Sequence, residues 1–325
     1  METTNQDELL KVKSLKISFY LNQGQVKAVD DVNISISKKS AVGLVGESGC
    51  GKTTTALSIV RLLPSPPSKI LDGKIIFQGS DLLNLSEKEL RKIRGKEISI
   101  VFQDPMTFLN PVLRVNDQIG EIIKEHQDIE KDDLKNKILK LLDQVGIPSP
   151  SDVINYYPHQ LSGGMRQRVL IAMALSCNPS LVIMDEPTTA LDVTIQRQIL
   201  ELIKGLIKDY EMSVLLITHD LGVVAEICDY VYIMYAGRIV EEADVFTIFE
   251  SAEHPYTKGL LSSALSIEEH KKELIGLAGN VPDLINPPSG CKYHPRCSHM
   301  KEICRLEEPP LIELETGHYV RCWSE

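Results

Sequence analysis

The residues Gly46–Thr53, with the sequence GESGCGKT, constrain the fold of this chain more than any other stretch. They match the pattern of a glycine, four residues and then Gly-Lys-Thr, in which backbone N–H groups converge on phosphate oxygens. Such a path needs glycines, because a Cβ atom would obstruct it. The preceding run Ala41–Val45 is apolar and strand-sized, and Thr54–Leu63 has a helical pattern that ends at Pro64. A strand, a glycine loop and a helix in this order predict a triphosphate site in an α/β fold.

Two side chains of the loop have distinct expected roles. Lys52 is expected to lie across the β- and γ-phosphates, and the hydroxyl of Thr53 is expected to bind Mg²⁺. The predicted nucleotide-binding set from this loop is Gly46, Glu47, Ser48, Gly49, Cys50, Gly51, Lys52, Thr53 and Thr54.

Length and charge narrow the class of protein. A chain of 325 residues is expected to form one large domain or two. Its net charge of −10 argues against a nucleic-acid partner. No apolar run reaches the length of a membrane-spanning helix, and the amino terminus lacks the apolar core of a signal peptide. We therefore expect a cytosolic chain, or one held at a membrane only through its partners.

The order of the predicted elements indicates the architecture. Alternating apolar residues at Leu15–Phe19 and Val29–Ile36 predict an antiparallel flap before the glycine loop. Apolar residues at helical spacing predict an inserted helical subdomain at about 111–170. Strands that alternate with helices predict a parallel sheet covered on both faces. Around Glu250 this alternation stops and a proline-rich tail follows.

Two acidic residues end the apolar run Leu181–Met184. Strand ends beside a phosphate loop are where α/β sheets place ligand-binding groups. Asp185 is therefore expected to complete the Mg²⁺ shell, and Glu186 to polarise the attacking water. An acidic pair after a strand is by itself more often a helix cap, but the glycine loop favours the catalytic interpretation.

The segment Leu161–Arg168, LSGGMRQR, predicts a second anion site. Ser162, Gly163 and Gly164 at a helix start present a hydroxyl and unbonded N–H groups. One nucleotide does not need two phosphate cradles in the same subunit. We therefore expect this segment to close on the nucleotide of a partner subunit; the alternative is a capped helix with no ligand.

With these motifs in this order, the sequence resembles the ATP-binding-cassette ATPases from Leu15 to about Glu250, which implies a P-loop NTPase fold. The resemblance implies that Gln103 is the lid-loop glutamine that senses Mg²⁺ and that His219 is the switch histidine at the γ-phosphate. It also implies that Phe19 stacks on adenine and that Ala190-Leu191-Asp192 is the loop that crosses between subunits.

Further segments resemble the oligopeptide/dipeptide importer ATPases: Val101–Pro111, Tyr157–Val169, His254–Leu261 and the tail sequence VPDLINPPSGCKYHPRC. This resemblance implies an ATPase that uses ATP and Mg²⁺ to power the import of di- or oligopeptides. The implied partners are a second cassette, identical or different, two transmembrane permease subunits and an extracytoplasmic substrate-binding protein. The implied location is the cytoplasmic face of the membrane, with a cassette at 1–250 and a C-terminal extension at 251–325.

Two alternatives stay open at this point. Relatives of this subfamily import oligosaccharides or nickel, and the cargo is chosen by proteins other than this chain. A soluble cassette ATPase acting on DNA or ribosomes is the alternative from another class. Against it, the residues between Thr53 and Leu161 are too few for the long coiled coils of DNA-clamping members, and the chain has one cassette where translation factors usually carry two.

Four of the seven cysteines lie close together near the end of the chain: Cys291, Cys297, Cys304 and Cys322. In a cytosolic chain such a group favours a metal site over disulfides, and four thiolates suit zinc or an iron–sulfur cluster. The close pairs typical of zinc ribbons are absent. The resemblance implies a four-iron (4Fe-4S) cluster, with zinc, assisted by nearby histidines, as the alternative; unliganded cysteines are a third. A tail poor in apolar residues is expected to depend on this metal, and the cassette is not.

Overall fold

The structure is a computed structural model that describes residues 7–189, 191–268 and 279–323. The chain divides into two compact units. Unit 1 comprises Met1–Asn84 and Leu216–Glu325, and unit 2 comprises Leu85–Leu215.

The elements are numbered along the chain. The strands are β1 (Glu8–Leu21), β2 (Gly24–Ser37), β3 (Ala41–Val45), β4 (Ser68–Phe77), β5 (Ser80–Asp81), β6 (Ile98–Val101), β7 (Leu181–Asp185), β8 (Ser213–Thr218), β9 (Tyr230–Tyr235), β10 (Arg238–Asp244), β11 (Ile312–Glu315) and β12 (His318–Val320). The helices are α1 (Lys52–Ile59), α2 (Glu87–Ile93), α3 (Pro105–Phe108), α4 (Val115–His126), α5 (Lys131–Gln144), α6 (Pro150–Val153), α7 (Gly163–Leu175), α8 (Val193–Tyr210), α9 (Leu221–Ile227), α10 (Val245–Ser251), α11 (Pro255–Glu268) and α12 (Ile303–Leu306).

Unit 1 contains the antiparallel flap that the sequence predicts. Its strand order is β2-β1-β4-β5, and all neighbouring strands are antiparallel. The alternating apolar residues of β1 and β2, such as Leu15, Ile17 and Val32, are buried. These residues form one face of the flap because successive side chains of a strand point to opposite sides.

The second sheet of unit 1 contains the strand that leads into the glycine loop. β3 pairs in parallel with β9, and all five of its residues are buried, as expected for a strand covered on both faces. Beyond β9 the pairing is antiparallel, in the order β9-β10-β12-β11. The sequence pattern does not predict β11 and β12, which extend this sheet with residues of the tail.

The tail is built into unit 1. Tyr293, Cys304 and Val320 are buried. The fully buried carboxylate of Glu241 on β10 accepts the Glu253 N–H at 2.6 Å and the His254 N–H at 3.1 Å, and lies 2.9 Å from Nε2 of His318 on β12. The small, separate Cys-rich extension expected from composition is therefore not what the structure shows, because the tail shares a sheet and buried contacts with the residues before it. The domain boundary at residue 250 stays a prediction.

In unit 2, β6 and β7 are parallel neighbours, with Val101 opposite Met184. Their carboxyl ends therefore lie at the same edge. α4, α5 and α7 bury apolar faces that include Ile119, Ile123 and Ile138, within the region where the sequence predicts helices. Among the described residues, no helix combines the length and apolar character needed to cross a bilayer.

Candidate active site

The glycine loop follows β3 and ends in the first turn of α1. A Cβ atom on Gly46 would lie 2.2 Å from the Met234 carbonyl oxygen, and one on Gly51 would lie 2.4 Å from the Ala28 carbonyl oxygen. Gly51 also has a φ of +109° and is the N-cap of α1. Only glycine fits these two positions. The loop thus presents the N-terminal N–H groups of α1, which favour an anion.

Lys52 lies over this loop. Its side chain is buried, and Nζ donates to the carbonyl oxygens of Gly46 at 2.6 Å and Glu47 at 3.0 Å. Thr53 follows in the first helical turn with its side chain exposed. Burial raises the pKa of the neighbouring Cys50 thiol, so that this side chain stays neutral. One ammonium group and the helix N–H groups therefore converge where the sequence predicts phosphate binding.

The loop also contains a carboxylate, Glu47, that is held from the tail. Arg296 donates from Nη1 to Oε2 at 2.6 Å and from Nη2 to Oε1 at 3.1 Å. The N–H of Glu47 donates to the hydroxyl of Tyr256 at 2.8 Å. Neither Arg296 nor Tyr256 was predicted from the sequence as a partner of this residue. Glu47 itself could have indicated a basic partner, because a carboxylate in an anion-binding loop needs a cation to neutralise it.

Glu186 and Gln103 are in contact in unit 2. Glu186 follows Asp185, whose side chain is buried at the end of β7, and it has a φ of +46°, which is unfavourable for a non-glycine residue. Its Oε2 accepts hydrogen bonds from Gln103 Nε2 and from Thr189 Oγ1, both at 2.9 Å. The structure thus brings together two of the predicted catalytic residues. A carboxylate fixed in this way can orient and polarise a water molecule.

The LSGG segment begins α7 in unit 2. Ser162 is its N-cap, and its Oγ accepts the Met165 N–H at 3.3 Å. A Cβ atom on Gly164 would lie 2.7 Å from Cγ2 of Ile195, so α8 packs closely here. Asp192 caps α8 by accepting the Ile195 N–H at 3.0 Å. Ser162 and Gly163 are exposed, as a site that contacts a partner subunit requires. Ala190, the first residue of the expected subunit-crossing loop, lies outside the described residues.

His219 and Phe19 belong to unit 1. His219 follows β8, is exposed, and lines a cavity of about 610 Å³ together with Glu47 and Ser48. The structure thus places the predicted switch histidine beside the glycine loop. Phe19 is half-buried in β1, opposite Val26.

Comparisons with known proteins agree with this geometry. A family model described as "ABC transporter" matches residues 29–189, and one described as "Oligopeptide/dipeptide transporter, C-terminal region" matches residues 240–304. The oligopeptide transport ATP-binding protein OppD of Bacillus subtilis (strain 168) is 50% identical over 316 residues, which cover 97% of this chain and 88% of that protein. The chain belongs to the ABC transporter family.

Two other comparisons support this assignment. The dipeptide transport ATP-binding protein DppD of Bacillus subtilis (strain 168) is 48% identical over 98% of this chain and 95% of its own length. Among solved structures, a dimeric post-hydrolysis state of the ATP-binding cassette MJ0796 bound to ADP and Pi has a TM-score of 0.66 at 28% identity, and covers 73% of this chain and 99% of that one. The family and the cassette fold predicted from the motifs are thus confirmed.

The metal site that the sequence predicts at the four tail cysteines is not supported by the structure. The N–H of Cys291 donates to the carbonyl oxygen of Cys304 at 2.8 Å. Burial, together with the nearby thiols of Cys304, Cys322 and Cys297, raises the pKa of Cys291 to about 11. Among the residues that the structure describes, however, no group of three or more His, Cys, Asp or Glu side chains could hold a metal ion. The thiols therefore lie near one another, but as placed they do not form a set that could hold a metal ion.

Proposed function

We propose that this chain binds and hydrolyses ATP to power the import of di- or oligopeptides through an ABC transporter. The observation that carries the proposal is the identity to peptide-transport ATP-binding proteins at 48–50% over nearly the whole chain. This likeness extends through the tail, which matches the C-terminal region of oligopeptide/dipeptide transporters. It is therefore not limited to the nucleotide-binding motifs.

The glycine loop provides the phosphate site in this proposal. Lys52 and the N–H groups at the start of α1 hold the phosphates, and Ser48, Gly49 and Thr54 complete the contact surface. The Thr53 hydroxyl, the Asp185 carboxylate and the Gln103 amide are the oxygen donors that Mg²⁺ prefers, so the donor set fits this ion. When bound, Mg²⁺ would neutralise negative charge on the phosphates.

Glu186 is the residue that we propose activates water. Its carboxylate accepts two hydrogen bonds through Oε2, which fix the side chain in an orientation from which it can accept a proton from water. His219, beside the glycine loop, donates to the γ-phosphate. Gln103 takes part in both Mg²⁺ binding and water activation in this proposal, because it is a proposed Mg²⁺ ligand and also contacts Glu186.

The active form in this proposal contains two cassettes. Ser162, Gly163 and Gly164 close on the nucleotide of the partner, Asp192 lies in the loop that crosses to it, and Phe19 stacks on adenine. The support is the exposed position of Ser162 and Gly163 at a helix start, and the dimeric state of the similar MJ0796 structure. Two permease subunits bind the cassettes at the cytoplasmic face of the membrane, and an extracytoplasmic protein delivers the peptide.

A metal centre in the tail, either a four-iron cluster or zinc, also stays a proposal. The four thiols lie near one another, which supports it: in addition to burial, Cys304, Cys322 and Cys297 each raise the pKa of Cys291. Binding would require these side chains to converge, and no step of ATP hydrolysis uses such a centre. Analysis of iron, sulfide and zinc in protein purified anaerobically without chelators tests it. A sample without any of the three contradicts the proposal.

Co-purification and hydrolysis together test the proposed function. The tagged chain, expressed together with candidate permease subunits, should retain two membrane proteins. In lipid nanodiscs, ATP hydrolysis by this complex should rise when the binding protein loaded with a dipeptide or oligopeptide is added. If a binding protein loaded with a sugar or nickel stimulates hydrolysis and a peptide-loaded one does not, the cargo is the sugar or nickel. A chain that retains no membrane protein contradicts the transport role.

A further inference from the structure

The acidic residue of the glycine loop raises an electrostatic problem that the catalytic roles do not address. Glu47 directly follows Gly46, and its carbonyl oxygen accepts from Lys52 Nζ at 3.0 Å. A triphosphate bound in this loop would place several negative charges close to the Glu47 carboxylate. Like charges that are partly shielded from solvent repel each other strongly. A loop with an uncompensated acid should therefore bind ATP poorly.

Arg296 compensates this charge in a pre-formed arrangement. Its side chain is only 6% exposed, and its guanidinium group binds both oxygens of the Glu47 carboxylate. The same group lies over the rings of Tyr235, at 5.7 Å from the centroid, and Tyr293, at 5.9 Å. Two-point binding and aromatic packing fix the guanidinium before any ligand arrives.

The backbone of the same residue is fixed separately. The Glu47 N–H donates to the hydroxyl of Tyr256 at 2.8 Å, and this buried tyrosine packs against Tyr235 and Tyr293. Both the side chain and the backbone of Glu47 are thus held by residues beyond position 250. These partners lie in unit 1 together with the glycine loop.

We propose that Arg296 and Tyr256 are positioning residues for ATP binding: Arg296 neutralises Glu47 and, with Tyr256, holds the glycine loop in its phosphate-binding path. This inference rests on the proposed function, because it assigns the tail a role at the same nucleotide site. It also revises the expectation that the cassette does not need the tail. Cys297 directly follows Arg296, so a substitution at this cysteine is expected to displace Arg296 and thereby weaken ATP binding at the glycine loop.

A double-mutant cycle in the full-length chain tests the charge role. Arg296→Ala should weaken ATP binding about tenfold, because it leaves the Glu47 charge uncompensated. Combining it with Glu47→Gln should restore affinity to within about threefold of wild type, because no charge is left to neutralise. The loss in Arg296→Ala should also shrink as salt is raised from about 0.05 to about 0.5 M, since screening weakens the repulsion. Equilibrium binding of a fluorescent ATP analogue, with competition by ATP, gives the affinities.

Lys292→Ala is the matched control. Lys292 is a cation of the same tail segment with a side chain that is 9% exposed, but it pairs with Asp30, which keeps a second partner in Arg238. This variant should bind ATP as wild type does, which separates the role of Arg296 from a general loss of tail ion pairs. Tyr256→Phe, which removes only the hydroxyl, should weaken binding by about threefold. Thermal melting confirms that each variant is folded.

Two results overturn the inference. One is an ATP affinity of a folded Arg296→Ala variant equal to that of wild type. The other is a loss that Glu47→Gln does not relieve and that salt does not change, which indicates a general structural defect. The ATP-binding role in the proposed function has a separate check, because that role fails when the wild-type chain binds no ATP, whatever the variants do.

Discussion

Replacing Glu186 with glutamine should abolish most hydrolysis while leaving the fold and ATP binding intact. The Glu186 carboxylate accepts two hydrogen bonds of 2.9 Å, from Gln103 and Thr189, and a carboxamide oxygen can accept the same two. Hydrogen bonds to a charged acceptor exceed neutral ones by about 1 kcal/mol each, so weakening these two should cost about 2 kcal/mol of folding stability. Loss of a general base lowers kcat by about 10²- to 10⁴-fold.

Three measurements on the same preparation separate these effects. Phosphate release under saturating ATP gives kcat, binding of a fluorescent ATP analogue gives affinity, and urea unfolding gives stability. ATP should still bind to Glu186→Gln and should now hold two cassettes together, which size-exclusion chromatography detects. Thr189→Val is the matched control, since it removes one hydrogen bond but keeps the carboxylate, and it should retain kcat within about tenfold. Hydrolysis by Glu186→Gln at the wild-type rate refutes the assigned role.

Three further predictions follow from the same structure. Lys52→Ala should weaken ATP binding itself, because it removes the ammonium group held over the loop, and an unchanged affinity in a binding titration would count against that role. Ser162→Arg and Lys52→Ala should each be inactive alone but recover partial hydrolysis when mixed, because one of the two composite sites then keeps both elements; no recovery in a demonstrated mixed dimer argues against action in trans. Burial raises the pKa of Glu242 to about 7 from its usual 4.5, so the folded state favours the protonated side chain. The stability that this proton binding adds is present below pH 4.5 and is lost as the pH rises through 7. Glu242→Gln should therefore be more stable than wild type at about pH 8, by up to about 3 kcal/mol, with a smaller gain at about pH 5, and urea unfolding that shows equal stability at the higher pH contradicts this.

Local patterns predicted the elements around the site well. The strand Ala41–Val45 has the predicted bounds, because five consecutive apolar residues between polar ones mark a buried strand. A capping box starts α2, with Ser86 and Glu89 exchanging hydrogen bonds, and such a local feature can be predicted from sequence because both partners lie within one helical turn. α1 starts two residues before the predicted Thr54, because Gly51 already caps it, and it ends at Ile59, short of the predicted Leu63.

Contacts distant along the chain were not predictable in the same way. β11 and β12 have four and three residues, too few for a period to emerge, and the pairing of β12 with β10 depends on residues almost 80 positions apart. The Arg296–Glu47 pair spans 249 positions. Cysteine spacing predicted a metal site, but spacing does not determine where four side chains point once the tail joins a sheet. The contact between Gln103 and Glu186 was not predicted either; it forms because the parallel strands β6 and β7 end at the same edge.

The most direct test of the central claim is the uptake of a labelled dipeptide into proteoliposomes that contain this chain, its permease subunits and the binding protein. ATP is placed on the side that carries the cassettes, and binding protein and peptide on the other. We predict uptake that requires ATP, is absent with a non-hydrolysable analogue and is lost with Glu186→Gln. Uptake at the same rate with the analogue or with Glu186→Gln would contradict the account, as would the absence of peptide uptake by a complex that hydrolyses ATP.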